Sequence, residues 1–216
     1  MYMKSLEPDS PLMEGFDLIK NLFFINIFTV LCCIPVVTIG AALSAMHYSC
    51  LKVVRNEEGY AAKMYFTAFK QNLKQGIPSS IISIGVVAFI LFDFWYMVNI
   101  DTVARENGVE LWFSAPVFVT LLIVSFFVVI TLTWYFPVMA KFEATIVQNI
   151  KNSGRLGLSH ILVTILMVVL NVIPFVICYF IQVLSPVLFI FGLSVPAYFG
   201  AKLYDKIFAK VEEKNV

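Results

Sequence analysis

From Leu156 to Ala201 the chain runs for 46 residues without an Asp, Glu, Lys or Arg. As a single helix that stretch would reach roughly 69 Å at about 1.5 Å per residue, more than twice the roughly 30 Å hydrocarbon core of a bilayer. It has to cross and return, which places the chain among integral membrane proteins. Composition agrees: 60% of residues are apolar and 13% charged, with a mean hydropathy of +0.88, whereas charged residues make up about 25% of soluble domains. With 216 residues and a net charge of +1, there is room for four to six spans and short loops, and none for a separate soluble catalytic domain. Lipid contact and helix packing already account for most apolar positions, so the residues say little about chemistry.

The fold expected is all-α: one integral membrane domain over 1–216, a polytopic bundle of five spans. These fall at about 17–46, 77–98, 112–140, 160–181 and 184–201. Pro35 interrupts the first, because it lacks an N–H and clashes with the preceding turn. The helix should kink or stop there, with Thr38 bonding some of the freed carbonyls. Gln182 to Pro186 divides the last two. The apolar run from Asn21 to Leu51 is too long for a signal-peptide core of about 7 to 15 residues, and its leader carries Glu7, Asp9, Glu14 and Asp17 against Lys4 and Lys20. It reads as a retained span.

Orientation follows from the basic residues in the connections. Twelve of the fifteen lie in three segments: Lys52, Arg55, Lys63, Lys70 and Lys74; Lys141, Lys151 and Arg155; and Lys202, Lys206, Lys210 and Lys214. Five spans put these segments on one face, the cytoplasmic one, with the basic loop at 47–76, four further spans over 77–201 and a basic tail at 202–216. The amino terminus then lies outside, with the loop of Asp101, Arg105, Glu106 and Glu110, flanked by Trp95, Tyr96 and Trp112. A four-span alternative makes Ser185 to Ala201 re-entrant.

Cys32, Cys33, Cys50 and Cys178 lie in or beside apolar segments, without the spacing of a disulfide framework, a CxxC pair or a zinc site. They are expected to pack. His47 and His160 belong to no metal-binding pattern, and no nucleotide, hydrolase or dinucleotide fingerprint occurs. The sequence thus offers no catalytic, cofactor-binding or metal-ligating set, and the basic residues are explained by topology without nucleic acid.

The stretch Ile34-Pro35-Val36-Val37-Thr38-Ile39-Gly40-Ala41-Ala42 is followed by Leu51-Lys52-Val53-Val54-Arg55-Asn56-Glu57-Glu58-Gly59-Tyr60, then Phe66-Thr67-Ala68-Phe69-Lys70-Gln71-Asn72. Together these resemble the YesL-like family of bacterial membrane proteins of unassigned function, over about residues 20 to 80. The resemblance implies a bacterial cytoplasmic membrane, inner or sole, and association with carbohydrate-uptake systems. Permease subunits of such an importer are the implied partners; it implies no enzymatic activity.

Two groups of residues are candidates for function. Pro35, Thr38, Gly40, Asp93, Asn171 and Gln182 are a helix break and polar groups inside apolar segments, as in the cavities of transporters. The plainer reading is that Gly40, Ser44 and Tyr48, at i, i+4 spacing, form a small-residue face for close helix packing. The segment 59–76 reads as an amphipathic helix on anionic headgroups, with Ala62, Phe66, Phe69 and Leu73 on one face. Its Lys63, Phe66, Phe69, Lys70 and Lys74 would dock a partner. The first expectation is therefore an accessory or assembly component, not an enzyme, in contact with the lipid bilayer and permease subunits. The alternative is a small oligomeric transporter or channel built from copies of this chain.

Overall fold

The computed structural model describes residues 11–57, 59–106 and 114–214. Residues 1–10 with Lys4, Glu7 and Asp9, and likewise Glu58, Glu110 and Trp112, lie outside the described residues, as do the side chains of Asp101 and Arg105. The described residues form α1 (Pro11–Cys33), α2 (Ile39–Val54), α3 (Ala61–Glu106), α4 (Ser114–Lys141), α5 (Ile146–Ser159), α6 (Ile161–Phe180), α7 (Ser185–Phe191) and α8 (Ser194–Lys214), with no strand among them. The fold is all-helical, and five helical segments are long and apolar enough to cross a membrane: Leu12–Cys33, Val36–Val54, Ala61–Ile100, Ala115–Lys141 and Ile161–Phe180. This is the construction of a multi-pass membrane protein.

These are not the five segments expected. The 17–46 segment is two helices, because the helix stops before Pro35, one of the two outcomes expected there, and the chain then reverses. Pro35 adopts an extended conformation, Val36–Thr38 form a short 3-10 turn, and α2 starts afresh at Ile39. The Thr38 hydroxyl lies 2.6 Å from the Cys32 carbonyl and 2.7 Å from that of Pro35, so it closes the end of α1. The reversal brings Glu14 to Asn21 of α1 beside Val53 to Tyr60, around one cleft. The start of α1 therefore shares an end of the molecule with the 47–76 segment, not the opposite end as expected.

The 184–201 segment does not form a fifth crossing either. It is divided into α7, a turn, and the first part of α8, closer to the four-span alternative for this stretch. Residues 59–76 are not a separate surface helix but lead straight into the next apolar segment, so that α3 is 46 residues long. At about 1.5 Å per residue it measures roughly 69 Å, and a large part must project beyond the hydrocarbon.

Helix α2 sits at the centre. Gly40, Ala41, Ala42, Ser44 and Ala45 are buried along it, and α3 crosses where both backbones lack bulk. A Cβ on Gly40 would lie 2.6 Å from the Gly76 carbonyl, and one on Gly76 would lie 2.6 Å from the Ala41 nitrogen. At the same crossing Ser80 donates to the Gly76 carbonyl and accepts the Gly40 N–H at 2.6 Å, satisfying a donor left over at the start of α2. Below it Trp134, Tyr204 and Phe208, all fully buried, join α4 to α8. The Trp134 indole N–H donates at 2.8 Å to Thr164, whose hydroxyl reaches the Gly157 carbonyl at 2.9 Å. That chain of bonds fixes α4, α5 and α6 together.

Candidate functional site

A partly polar cleft of about 680 Å³ lies at the end where α1 begins and α2 gives way to α3. Its floor is set by how α2 stops. Asn56 takes the left-handed conformation (φ 51°); its N–H bonds the Val53 carbonyl, and the Glu57 N–H bonds the Lys52 carbonyl. This is a Schellman cap, with Asn in the place most often held by Gly. The cap turns Glu57 back onto Lys52, 2.8 Å away, and leads to Gly59 and Tyr60, which is 85% exposed. Asp17, paired with Lys20, Asn21 and Tyr198 complete the walls. Carboxylates, amides and two tyrosines suit this cleft to hydrogen-bonding a polar group from water or from another protein.

A second surface runs along the first part of α3. Ala61, Met64, Tyr65 and Ala68 are buried, so the inward face is a different one from the Ala62, Phe66, Phe69, Leu73 face expected. Ala62 and Phe66 are exposed, whereas Phe69 is half-buried and stacks on Tyr65. The exposed Lys63, Phe66, Lys70 and Lys74 recur at 3, 4, 4 spacing and make one outward stripe. Of the docking residues expected, only Phe69 leaves it. Beside Lys74 lies a shallow groove bounded by Gln71, Gln75 and residues 143–148, Glu143 among them, with more apolar than polar surface. Gln75 holds its far side by donating to the Ala144 carbonyl at 2.7 Å.

The other candidates do not converge. Pro35, Thr38 and Gly40 build the reversal and the α2–α3 crossing. Asp93 is half-buried on the distal part of α3, Asn171 is exposed and donates to the Met167 carbonyl of its own helix at 2.8 Å, and Gln182 is exposed in the turn after α6. None of them lines the cleft or the groove beside Lys74. His47 Nδ1 lies 3.3 Å from the Tyr204 hydroxyl, and His160 stands at the α5–α6 junction. None of the four cysteines forms a disulfide among the described residues, and Cys50 is buried.

Two polar arrangements escaped the sequence reading. Asn26, fully buried in α1, donates to the Phe189 carbonyl at 2.8 Å and accepts the Leu193 and Ser194 N–H groups at 3.0 Å each. One amide thus closes the end of α7 and the start of α8. Its only signal was an amide in the middle of an apolar run. The second is a charge clasp: Arg55 binds Asp205 at 2.6 Å and Glu212 at 3.5 Å, and Glu212 binds Lys141 at 2.6 Å. The hydrogen bond from Lys141, aided by Arg55, holds the Glu212 carboxyl below its ordinary pKa. The clasp ties α8 to the ends of α2 and α4, so three of the basic segments meet at one end of the molecule.

Residues 18–94 match the family described as a protein of unknown function, DUF624, which is the YesL-like family. The match takes in Asn26, the Pro35 reversal, the Asn56 cap and the Gly76–Ser80 crossing. No curated protein and no solved structure matches the chain.

Proposed function

We propose that this protein is an accessory or assembly component of a bacterial carbohydrate-uptake system, which docks a membrane partner through the outward stripe of α3. The observation that supports it is the division of labour on that helix. One face of residues 61–76 is committed to α2, while Lys63, Lys70 and Lys74 are exposed around Phe66, whose ring rests on Phe28 of α1 and keeps one side outward, and Lys74 borders a shallow groove. An apolar ring among cations suits a partner surface with acidic residues around an apolar patch. In this reading the basic end faces the cytoplasm, the partners are permease subunits, and the protein carries out no catalytic step. The carbohydrate assignment rests on the family resemblance alone.

Crosslinking in the native membrane followed by mass spectrometry tests it. Permease subunits should accompany the wild-type protein, and Lys63→Glu, Lys70→Glu and Lys74→Glu together should abolish their recovery without changing the amount of protein. Unchanged recovery would overturn the proposal. The second reading, a small homo-oligomeric transporter, is favoured by the bare apolar surface of the distal α3 and α4, where 6% of the most apolar stretch is buried. Solute flux into liposomes that responds to Asp93→Asn would select it.

A further inference from the structure

Between α3, α4 and α5 lies a slot of about 340 Å³, within the roughly 300–1,000 Å³ of small-molecule sites. Its sides are Ile82 and Val86 of α3, Phe127 and Val128 of α4, and Ile150 of α5. Of the hydroxyls on its lining, those of Ser79, Thr131 and Tyr135 are engaged, and Ser83 of α3 adds one more polar atom to an otherwise apolar wall. Ser79 donates to the Gln75 carbonyl at 2.7 Å and meets the Tyr135 hydroxyl at 2.6 Å; Thr131 donates to the Phe127 carbonyl at 2.8 Å. A polar solute entering would give up its water and find few partners, whereas an alkyl chain loses nothing. The slot opens beside the exposed apolar side chains of α3 and α4, among them Ile82, Val86, Val124 and Phe127.

The slot does not end blindly. Ile146 lines both it and the shallow groove, and Gln75 stands one helical turn before Ser79. Along α3 the surface therefore changes from apolar at Val86, through the closed hydroxyl pair, to amides and the Lys74 ammonium, with the Glu143 carboxylate on the facing wall of the groove. That sequence of chemistries matches an amphiphile lying along the helix, tail toward Val86 and phosphate toward Lys74. The groove lies near the end of α4, where Lys141 joins the charge clasp, as headgroup depth requires.

We infer that this slot and groove together form a specific binding site for a glycerophospholipid, with one acyl chain between α3 and α4 and the headgroup beside Lys74. The site is distinct from the outward stripe in what it binds, and it stands whether or not the protein serves an importer.

The full chain is placed in nanodiscs containing a phosphatidylglycerol with a mid-chain diazirine, and photolabelled peptides are mapped by mass spectrometry. Labelling should concentrate at residues 82–86 and 124–131. Val128→Trp, which fills the slot, should reduce labelling there by at least about tenfold, while Val119→Trp, on the exposed surface of the same helix, should leave it unchanged. Lys74→Glu should weaken competition by unlabelled phosphatidylglycerol relative to phosphatidylcholine. Labels spread evenly along α3 and α4, or indifferent to Val128→Trp in folded protein, would overturn the inference. Chain-to-chain crosslinks in place of lipid labels would overturn it too, assigning the slot to a second copy. Should Val128→Trp not fold, the wild-type map alone decides.

Discussion

Half of the most apolar stretch of α2 is buried inside the protein, against 6% in α3 and α4, although each is apolar enough to cross a membrane. The difference lies in side-chain size. Where α2 carries Gly40, Ala41, Ser44 and Ala45, another backbone approaches to contact; where α3 and α4 carry Phe89, Phe92, Phe118 and Phe126, the rings point outward. Lipid tails are as apolar as leucine, so hydrophobicity alone gathers no helices inside a bilayer; close packing and hydrogen bonds do. The packed part also holds the polar connections: the Asn26 amide, the Ser80 hydroxyl and the Trp134–Thr164 bond. Apolar content marks which segments meet lipid, and small and polar residues decide which meet each other.

The sharpest test of this contrast is Asn26→Leu, which strands two N–H groups and a carbonyl in the packed part. At about 1–3 kcal/mol per buried unpaired group, unfolding in mixed micelles should show a loss of roughly 3 kcal/mol or more. An unchanged midpoint would mean that something else holds the α7–α8 junction. Gly40→Val should cost about 1–3 kcal/mol by overpacking the crossing with Gly76, read from the same titration. Its Gly76→Ala counterpart should be non-additive with it, because both strain one contact.

A smaller effect is expected from the charge clasp. The carboxyl of Glu212 has a lowered pKa in the folded protein, so its contribution is present above the ordinary glutamate range and is lost as pH falls through the folded value. Glu212→Gln should lower stability at neutral pH by less than about 1 kcal/mol, the pair being part-exposed, and flatten the acid limb of the stability profile. Smallest of all should be Phe89→Ala, within about 0.5 kcal/mol in detergent. A loss comparable to that of Gly40→Val would break the contrast and show that the distal α3 is packed against another protein surface.

Two stretches of equal length show what the sequence could and could not reveal. Leu156 to Ala201 has 46 residues without a charge, and it does break, near Gln182, as length and bilayer thickness require. Ala61 to Glu106 is also 46 residues long but remains one helix, because its Lys63, Lys70 and Lys74 allow one end to leave the hydrocarbon. Length without charge, together with Gln182 and Pro186, therefore located the break in the first case, whereas charge placement led to two elements in the second, where Pro78 is accommodated within the helix. The reversal at Pro35 was legible only as an interruption. What turns it into a hairpin is the fit of Gly40 against Gly76 and Ser80, some forty residues on. The Asn56 cap went unread, although an Asn follows the last apolar turn of α2; the cleft it shapes had no local signal at all, since α1 and Tyr198 come to it from distant parts of the chain.

The Asn26 clamp also sets an order of assembly. Its partners lie 163 to 168 residues further along the chain, so during synthesis α1 enters the membrane with an amide whose permanent partners do not yet exist. Until Phe189 to Ser194 arrive, that amide must be shielded by water, by a neighbouring chain or by the insertion machinery, each a temporary partner for a polar group in apolar surroundings. A segment made long after α1 thereby completes it, and a chain stopped short of Ser194 carries its own mark of incompleteness inside α1.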